Sequence, residues 1–277
     1  RGFDITVKSN AFGRRFGHSI YGVYAWTALV IAVVPALVVL AVTPGRDTRR
    51  SVTRWFARVF FFSIGCPIGT REDESLPAGA CVVVANHASY LDGIILTAAL
   101  PPRFTFVIKH EMARLPFAGF LLRRIGSEFV KREDGRQKSQ VARRLIRAAD
   151  SGDALAFFPE GTFVAEPGLR RFHPGAFGAA RRARVPVVPV AILGARSKLP
   201  AGSWLPAPGQ LAIRVATPIE PDGHASASSL TLASRLALLE YLEEPDLGQS
   251  DRLTRSAQAL TAAGRAPRVT PGENSPS

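Results

Sequence analysis

Cysteine is scarce in this chain: there are two in 277 residues, and Cys66 and Cys81 form neither a CxxC pair nor a disulfide framework. The five histidines, at 18, 87, 110, 173 and 224, show no HExxH or similar ligand spacing, so no metal site is expected. A G-x-S-x-G nucleophile elbow is missing as well; Gly17 to Gly22 comes near it but lies inside an apolar stretch. There is no internal repeat, and no helix-turn-helix, RRM or zinc-finger signature. What the chain does have is apolar surface, with 47% hydrophobic residues. That is enough to bury a core and excludes collagen-like or wholly disordered chains. It begins at Arg1 rather than Met, which reads as a segment of a longer protein or a processed product.

Acid is also in short supply: 35 Lys and Arg stand against 22 Asp and Glu, for a net charge of +13. Residues 1–80 carry +5 and residues 81–220 carry +10, whereas the remainder carries −2. A basic front and middle suit nucleic acid, an anionic membrane surface or a phosphorylated substrate.

Residues 19–42 contain no charged side chain over 24 positions. About 20 apolar residues cross a bilayer core as helix, so this stretch is long enough to span. It is too long for a signal-peptide core and has no small-x-small cleavage site after it. Pro35 is expected to kink it. Lys8, Arg14 and Arg15 precede it, and Arg46, Arg49, Arg50, Arg54 and Arg58 follow. Basic residues on both sides give no single-pass orientation; they fit a kinked or re-entrant insertion from the cytoplasmic face. A second apolar block, 55–65, places Arg54 and Arg58 on one helical face and reads as an interfacial helix or a core helix.

The remainder alternates short apolar runs with helical stretches. Strands are expected at 81–85, 104–108, 154–158, 187–192 and 211–215, with helices at 91–100, 137–150, 175–184 and 227–243. This is an α/β pattern with a largely parallel sheet flanked by helices. The expected division is a membrane-anchoring segment at 1–70, a catalytic domain at 71–244 and a disordered tail at 245–277.

Four short motifs carry the chemistry. Asn86-His87-Ala-Ser-Tyr-Leu-Asp92 sits at the end of the first strand, where α/β sheets build their sites. His87 is suited to take a proton near neutral pH, and Asp92 can accept its other N–H and fix the tautomer. With no enzyme nucleophile in a recognisable setting, such a pair points to direct activation of a substrate hydroxyl. Phe158-Pro-Glu-Gly-Thr162 puts Glu160 beside Gly161 on a tight turn, again after a strand. Gly126-Ser-Glu-Phe-Val-Lys131-Arg132 ends in a cationic pair able to hold a phosphate. Val185-Pro-Val-Val-Pro-Val190 is a proline-bearing apolar run, either a wall for an acyl chain or an edge strand.

In this order, the four motifs resemble the four sequence blocks of the glycerolipid acyltransferases, typified by the 1-acylglycerol-3-phosphate (lysophosphatidate) acyltransferases. Lys109 and Glu111 resemble residues between the first two blocks, and the likeness covers roughly 80–215. It implies an α/β acyltransferase domain behind N-terminal membrane-associating helices. By resemblance, His87 is the general base and Asp92 its partner. Arg132, assisted by Lys131, holds the acceptor phosphate, and Glu160, Gly161 and Thr162 line the acceptor site. Asn86, Lys109, Glu111 and Gly126 are supporting positions. The implied donor is an acyl thioester on coenzyme A or acyl carrier protein; the acceptor is a lysophospholipid drawn from membrane lipids. No metal, tightly bound cofactor or nucleic acid is implied.

One residue departs from the pattern. Many members carry arginine after the Glu-Gly-Thr, whereas this chain has Phe163. That removes a phosphate-binding charge, which Arg170, Arg171 or His173 would have to replace, and it opens the acceptor question to another lysophospholipid or a lyso-aminolipid. Two other classes remain as alternatives: a membrane-tethered nucleic-acid-binding module, suggested only by charge, and a lipid hydrolase or thioesterase, in which water replaces the acceptor hydroxyl.

Overall fold

The computed structural model describes residues 5–72, 76–130, 143 and 153–248. Its first element, α1 (Ile5–Val42), is a 38-residue helix that continues through Pro35. It is followed by α2 (Arg46–Ser63), which starts nine residues earlier than the apolar block alone suggested. Phe16–Val42 has the length and composition to cross a membrane, and only 17% of its most apolar window is buried. A core helix of such composition would be covered on all sides, so this one presents apolar surface outward.

The helix nevertheless lies along the domain. Near residue 21 it is held by Tyr21, which donates to the Ile64 carbonyl at 2.9 Å, and by Trp26, whose indole N–H donates to the Trp204 carbonyl at 2.6 Å. At its other end no basic side chain of its own meets the last turn. Arg124 supplies one instead, donating to the carbonyls of Leu40 and Ala41, and Arg49 donates to Thr43. These are the carbonyls that a helix terminus leaves without partners. The second helix buries Ala57, Phe60 and Phe61 while leaving Trp55 and Phe62 exposed. It thus serves as core on one face and surface on the other. Its Arg50 is buried, donates to Thr105 and to the Ile125 carbonyl, and lies 3.7 Å from Asp153, which ties the helix to the sheet.

Among the described residues seven strands form one sheet, in the order β1-β7-β6-β2-β5-β3-β4. They are β1 (Ile68–Glu72), β2 (Val82–Ala85), β3 (Phe104–Lys109), β4 (Glu128–Val130), β5 (Ala154–Phe157), β6 (Val187–Leu193) and β7 (Leu211–Val215). Five run parallel, from β6 to β4; β7 pairs antiparallel to β6, and β1 runs parallel to β7. The expected five strands are all present. Two more, β1 and β4, escaped the sequence pattern because neither has an apolar run. The central strand β2 is wholly buried, as its uninterrupted valines require of a strand covered on both faces.

The helices are α3 (Asp92–Ala99), α4 (Pro116–Arg124), α5 (Gly175–Ala183), the short α6 (Ala195–Lys198) and α7 (Ala227–Leu239). A capping box between Ser226 and Ser229 starts α7. The helix expected at 137–150 lies outside the described residues, apart from Arg143, which is helical. Pro245 and Leu247 bond to the backbone of Leu169, so the chain stays attached to the domain past 244; residues 249–277 lie outside the described residues.

Val185–Val190 is not an edge strand: Val187–Val190 belong to β6, fully buried between β2 and β7. Pro189 is tolerated there because the carbonyl side of the pairing survives without its N–H. Just beyond, Gly194 adopts φ +81°, and a Cβ there would sit 2.3 Å from the Gln210 carbonyl oxygen. That obstacle is backbone and cannot swing away. Gly194→Ala is expected to lower stability by about 2 kcal/mol or more, from left-handed strain plus the clash; the urea midpoint measures it, and an unchanged midpoint would refute this reading of the turn.

Candidate active site

Strand β2 delivers Asn86 and His87 past its carboxyl end, and α3 begins at Asp92. Asn86 is buried, and its side-chain amide pairs with the backbone of Ile192, accepting from its N–H at 2.7 Å and donating to its carbonyl at 3.1 Å. The end of β2 is thereby locked to β6. Ser89, fully buried, donates to the Leu199 carbonyl at 2.8 Å and accepts from the Leu91 N–H, which shapes the turn into α3.

Asp92 has no exposed surface. Its Oδ2 lies 2.8 Å from His87 Nδ1 and accepts from the backbone N–H groups of Ala88 and Ser89 at 2.7 and 2.8 Å. These three contacts converge on one buried oxygen and fix the imidazole with Nδ1 inward. Two aromatic rings pack against that imidazole. Phe158 stacks on one face with centroids 4.4 Å apart at 21°, and Phe163 leans on the ring at 4.5 Å and 55°. Tyr90 meets Phe163 edge-on at 4.8 Å. With Nδ1 engaged and two rings packed against the imidazole, the Nε2 edge is the part of His87 left for a substrate.

Glu160 does something the sequence did not suggest. Its side chain is buried rather than lining an open acceptor site. Oε1 accepts from the His87 backbone N–H at 2.6 Å and Oε2 from the Arg170 N–H at 2.8 Å. The carboxylate is a bracket that joins the dyad's backbone to the loop following Gly161. Burial pushes its pKa up to about 7, with the two backbone N–H groups pulling the other way. The turn before it forms because Pro159 sets its second position, Gly161 N–H closes back on the Phe158 carbonyl at 3.0 Å, and Gly161 takes φ +80°. Thr162 is exposed on that turn.

Loop 163–172 is gripped from below. Arg196 donates to the carbonyls of Val164 and Glu166 and forms a two-pronged pair with Glu244. Arg235, buried, donates to Leu169 and Arg170 and pairs with Asp246. No local pattern signals these clamps, because their partners are backbone carbonyls and acids far along the chain. Arg170 and Phe172 stand on this loop; Arg171 and His173 are exposed on it.

The remaining expected positions are dispersed. Lys109 and Glu111 form an exposed pair, 3.6 Å apart, where β3 ends. Gly126 lies at the opposite edge of the sheet from His87, ahead of β4; its φ of +77° and the closeness of Arg46 give it a turn-forming role. Lys131 and Arg132 lie outside the described residues.

The geometry defines a class: a largely parallel α/β domain with a buried-acid–histidine dyad at a strand end, whose neighbouring serine, Ser89, is buried and bonded to a backbone carbonyl. Residues 68–193, just under half of the chain, match the acyltransferase family model. The chain is 35% identical over 160 residues to a lyso-ornithine lipid O-acyltransferase of Pseudomonas aeruginosa, covering 57% of this chain and 60% of that protein. It is 34% identical over 132 residues to a chloroplastic 1-acyl-sn-glycerol-3-phosphate acyltransferase of Brassica napus, covering 47% and 38%. It thus spans less than two thirds of the length of these relatives. The crystal structure of the 1-acyl-sn-glycerophosphate acyltransferase PlsC from Thermotoga maritima shares the fold, with a TM-score of 0.69, 20% identity, and coverage of 90% of this chain and 98% of that one.

The bracket makes a testable claim. Because burial raises the Glu160 pKa to about 7 when folded, against the ordinary carboxylate value of 4.5 when unfolded, stability from this group is greatest below 4.5 and falls as pH rises to 7. Glu160→Gln removes that slope, so the gap between variant and wild type should change by roughly 2–3 kcal/mol between pH 5 and 7.5. The amide also strands one buried N–H, at about 1–3 kcal/mol. Denaturant titrations at both pH values read the two effects; parallel wild-type and variant profiles would contradict the bracket.

Proposed function

We propose that the protein transfers a fatty acyl group from a thioester, on coenzyme A or acyl carrier protein, to the free hydroxyl of a lysolipid. The observation that carries this is the dyad: Nδ1 is committed to a buried carboxylate, Nε2 is the ring nitrogen left to react, and the neighbouring Ser89 is buried with its hydroxyl donated to the Leu199 carbonyl. Nε2 takes the hydroxyl proton as the acceptor oxygen attacks the thioester carbonyl. Asp92 stabilises the imidazolium as it forms. When the C–S bond breaks, the imidazolium returns the proton to the departing thiolate, and ester and free thiol leave. Base and thioester suffice, so the chemistry calls for no resident metal or cofactor.

The first acceptor to consider is 1-acylglycerol-3-phosphate, giving phosphatidate, as the activity named for the Brassica relative supports. A lyso-aminolipid is the second. It is favoured by Phe163, which places an aromatic ring rather than a cation beside the dyad, and by the activity named for the Pseudomonas relative. The lipid substrate and the outward apolar face of α1 support a membrane location, and the basic residues on both flanks of that segment favour its cytoplasmic side.

Acyl transfer by detergent-solubilised protein, wild type beside His87→Ala, tests this with lysophosphatidate and a panel of other lysolipids. Loss of the base should lower turnover by at least about 100-fold while the protein stays folded. His87-independent product would sink the mechanism. Fatty acid release without any lysolipid would favour a thioesterase, and salt-sensitive DNA binding without transfer would favour the nucleic-acid reading.

A further inference from the structure

Outside α1 and α2, seven large apolar side chains are exposed among the described residues, and five of them stand at one edge of the sheet. They are Tyr90, Met112, Leu115, Phe117 and Trp204; the other two are on α7. Register fixes where this edge is. Phe106 pairs with Ala156, which lies at the level of Val83, so His110 leaves β3 at the height of His87, two strands away. At about 4.8 Å per strand, that is about 10 Å from the dyad. The 3-10 turn His110–Arg114 and the start of α4 then carry Met112, Leu115 and Phe117 along the same edge. Phe117 is 69% exposed, which a soluble surface has no reason to select.

On the other side of the dyad, β6 ends level with His87, and residues 199–210 lead to β7. Trp204, also 69% exposed, projects from this segment. Ser89 bonds the segment to the dyad's own turn, and Trp26 bonds it to α1. The last turn of α1 meets the element that carries the first patch, since Arg124 at the end of α4 caps it. Around the apolar side chains of 112–117 lie Lys109, Arg114 and Arg123, and residues 109–124 carry four basic side chains against one acid. Bulky apolar groups with cations beside them suit an anionic lipid surface, where each nearby Lys or Arg contributes about 1 kcal/mol.

We propose that residues 112–117 and Trp204 are a second bilayer-contacting surface, continuous with α1, which flanks the His87–Asp92 dyad on both sides and sets its open edge at headgroup level. The occupant is a bilayer containing anionic lipid. This deepens the lysolipid reading, since an acceptor held in the membrane would reach Nε2 without leaving it, but the surface itself is tested without any activity measurement.

Cys66 and Cys81 are buried, so nitroxide labels can be directed to introduced cysteines in the full chain: Phe117→Cys and Trp204→Cys, with Val34→Cys on α1 and the exposed Arg181→Cys on α5 as references. On adding vesicles of phosphatidylcholine with phosphatidylglycerol, labels at 117 and 204 should lose contact with a water-soluble nickel chelate and gain contact with oxygen, as at 34. The label at 181 should not change, and vesicles of phosphatidylcholine alone should give less protection. If 117 and 204 behave like 181 while 34 inserts, the proposal is wrong. Protection that arises without vesicles, alongside self-association in light scattering, would make this face a protein contact and overturn it equally. The double variant Leu115→Glu, Phe117→Glu should raise KM severalfold for lysolipid presented in vesicles and leave turnover of a short-chain, water-soluble lysolipid unchanged. Absence of all transfer, with the labels protected, would reject the lysolipid reading and keep the surface.

Discussion

One buried carboxylate oxygen organises the site. Asp92 Oδ2 collects His87 Nδ1 and two consecutive backbone N–H groups, so a single atom sets the imidazole's tautomer, its direction and the turn that carries it. The arrangement needs a carboxylate exactly one helical entry after the strand, since the donors at 88 and 89 are the free N–H groups ahead of α3. A second buried acid does the same for the backbone. Glu160 takes the His87 N–H with one oxygen and the Arg170 N–H with the other, so the histidine is held by side chain and main chain from two different strand ends. Ionising Glu160 there costs free energy, and the pKa of about 7 records it.

Around this centre the chain builds rigidity outward. Asn86 binds β2 to β6 through a two-way amide pairing, and Arg196 and Arg235 fasten the loop that carries Phe163 against the imidazole. The aromatic bracket of Phe158 and Phe163 leaves one edge of the imidazole to react. Such packing replaces water by apolar contact against the ring, which strengthens the polar contacts at its edges. The long front helix adds a different kind of surface, with apolar residues outward and its last carbonyls capped by Arg124 and Arg49.

Much of this was legible before any coordinates. Uninterrupted valines at 82–84 mark a strand buried on both faces, and the charge-free run at 19–42 marks a helix long and apolar enough to cross a membrane. The spacing of His87 and Asp92 places both at a strand-to-helix turn, where they do meet. The rest was not legible, for identifiable reasons. Strands β1 and β4 are short and lie at the sheet's edges, where apolar patterning is weak. Glu160 reads as an exposed turn residue because its partners are backbone N–H groups, which no sequence advertises. Phe163 reads as a missing charge; only the fold shows it as a ring resting on the histidine. The proline-bearing run at 185–190 suggests an edge, and the fold puts it at the centre because β7 covers β6 from outside.

The central claim is that the Asp92-held imidazole passes one proton from a lysolipid hydroxyl to the leaving thiolate. Mass spectrometry of thioester consumed and acylated lipid formed, in wild type and Asp92→Asn, measures this most directly. The account predicts one acylated lipid per thioester, with both falling together in the variant by at least about 100-fold and little change in KM. Undiminished transfer by Asp92→Asn, or thioester cleavage that continues without lysolipid, would contradict it.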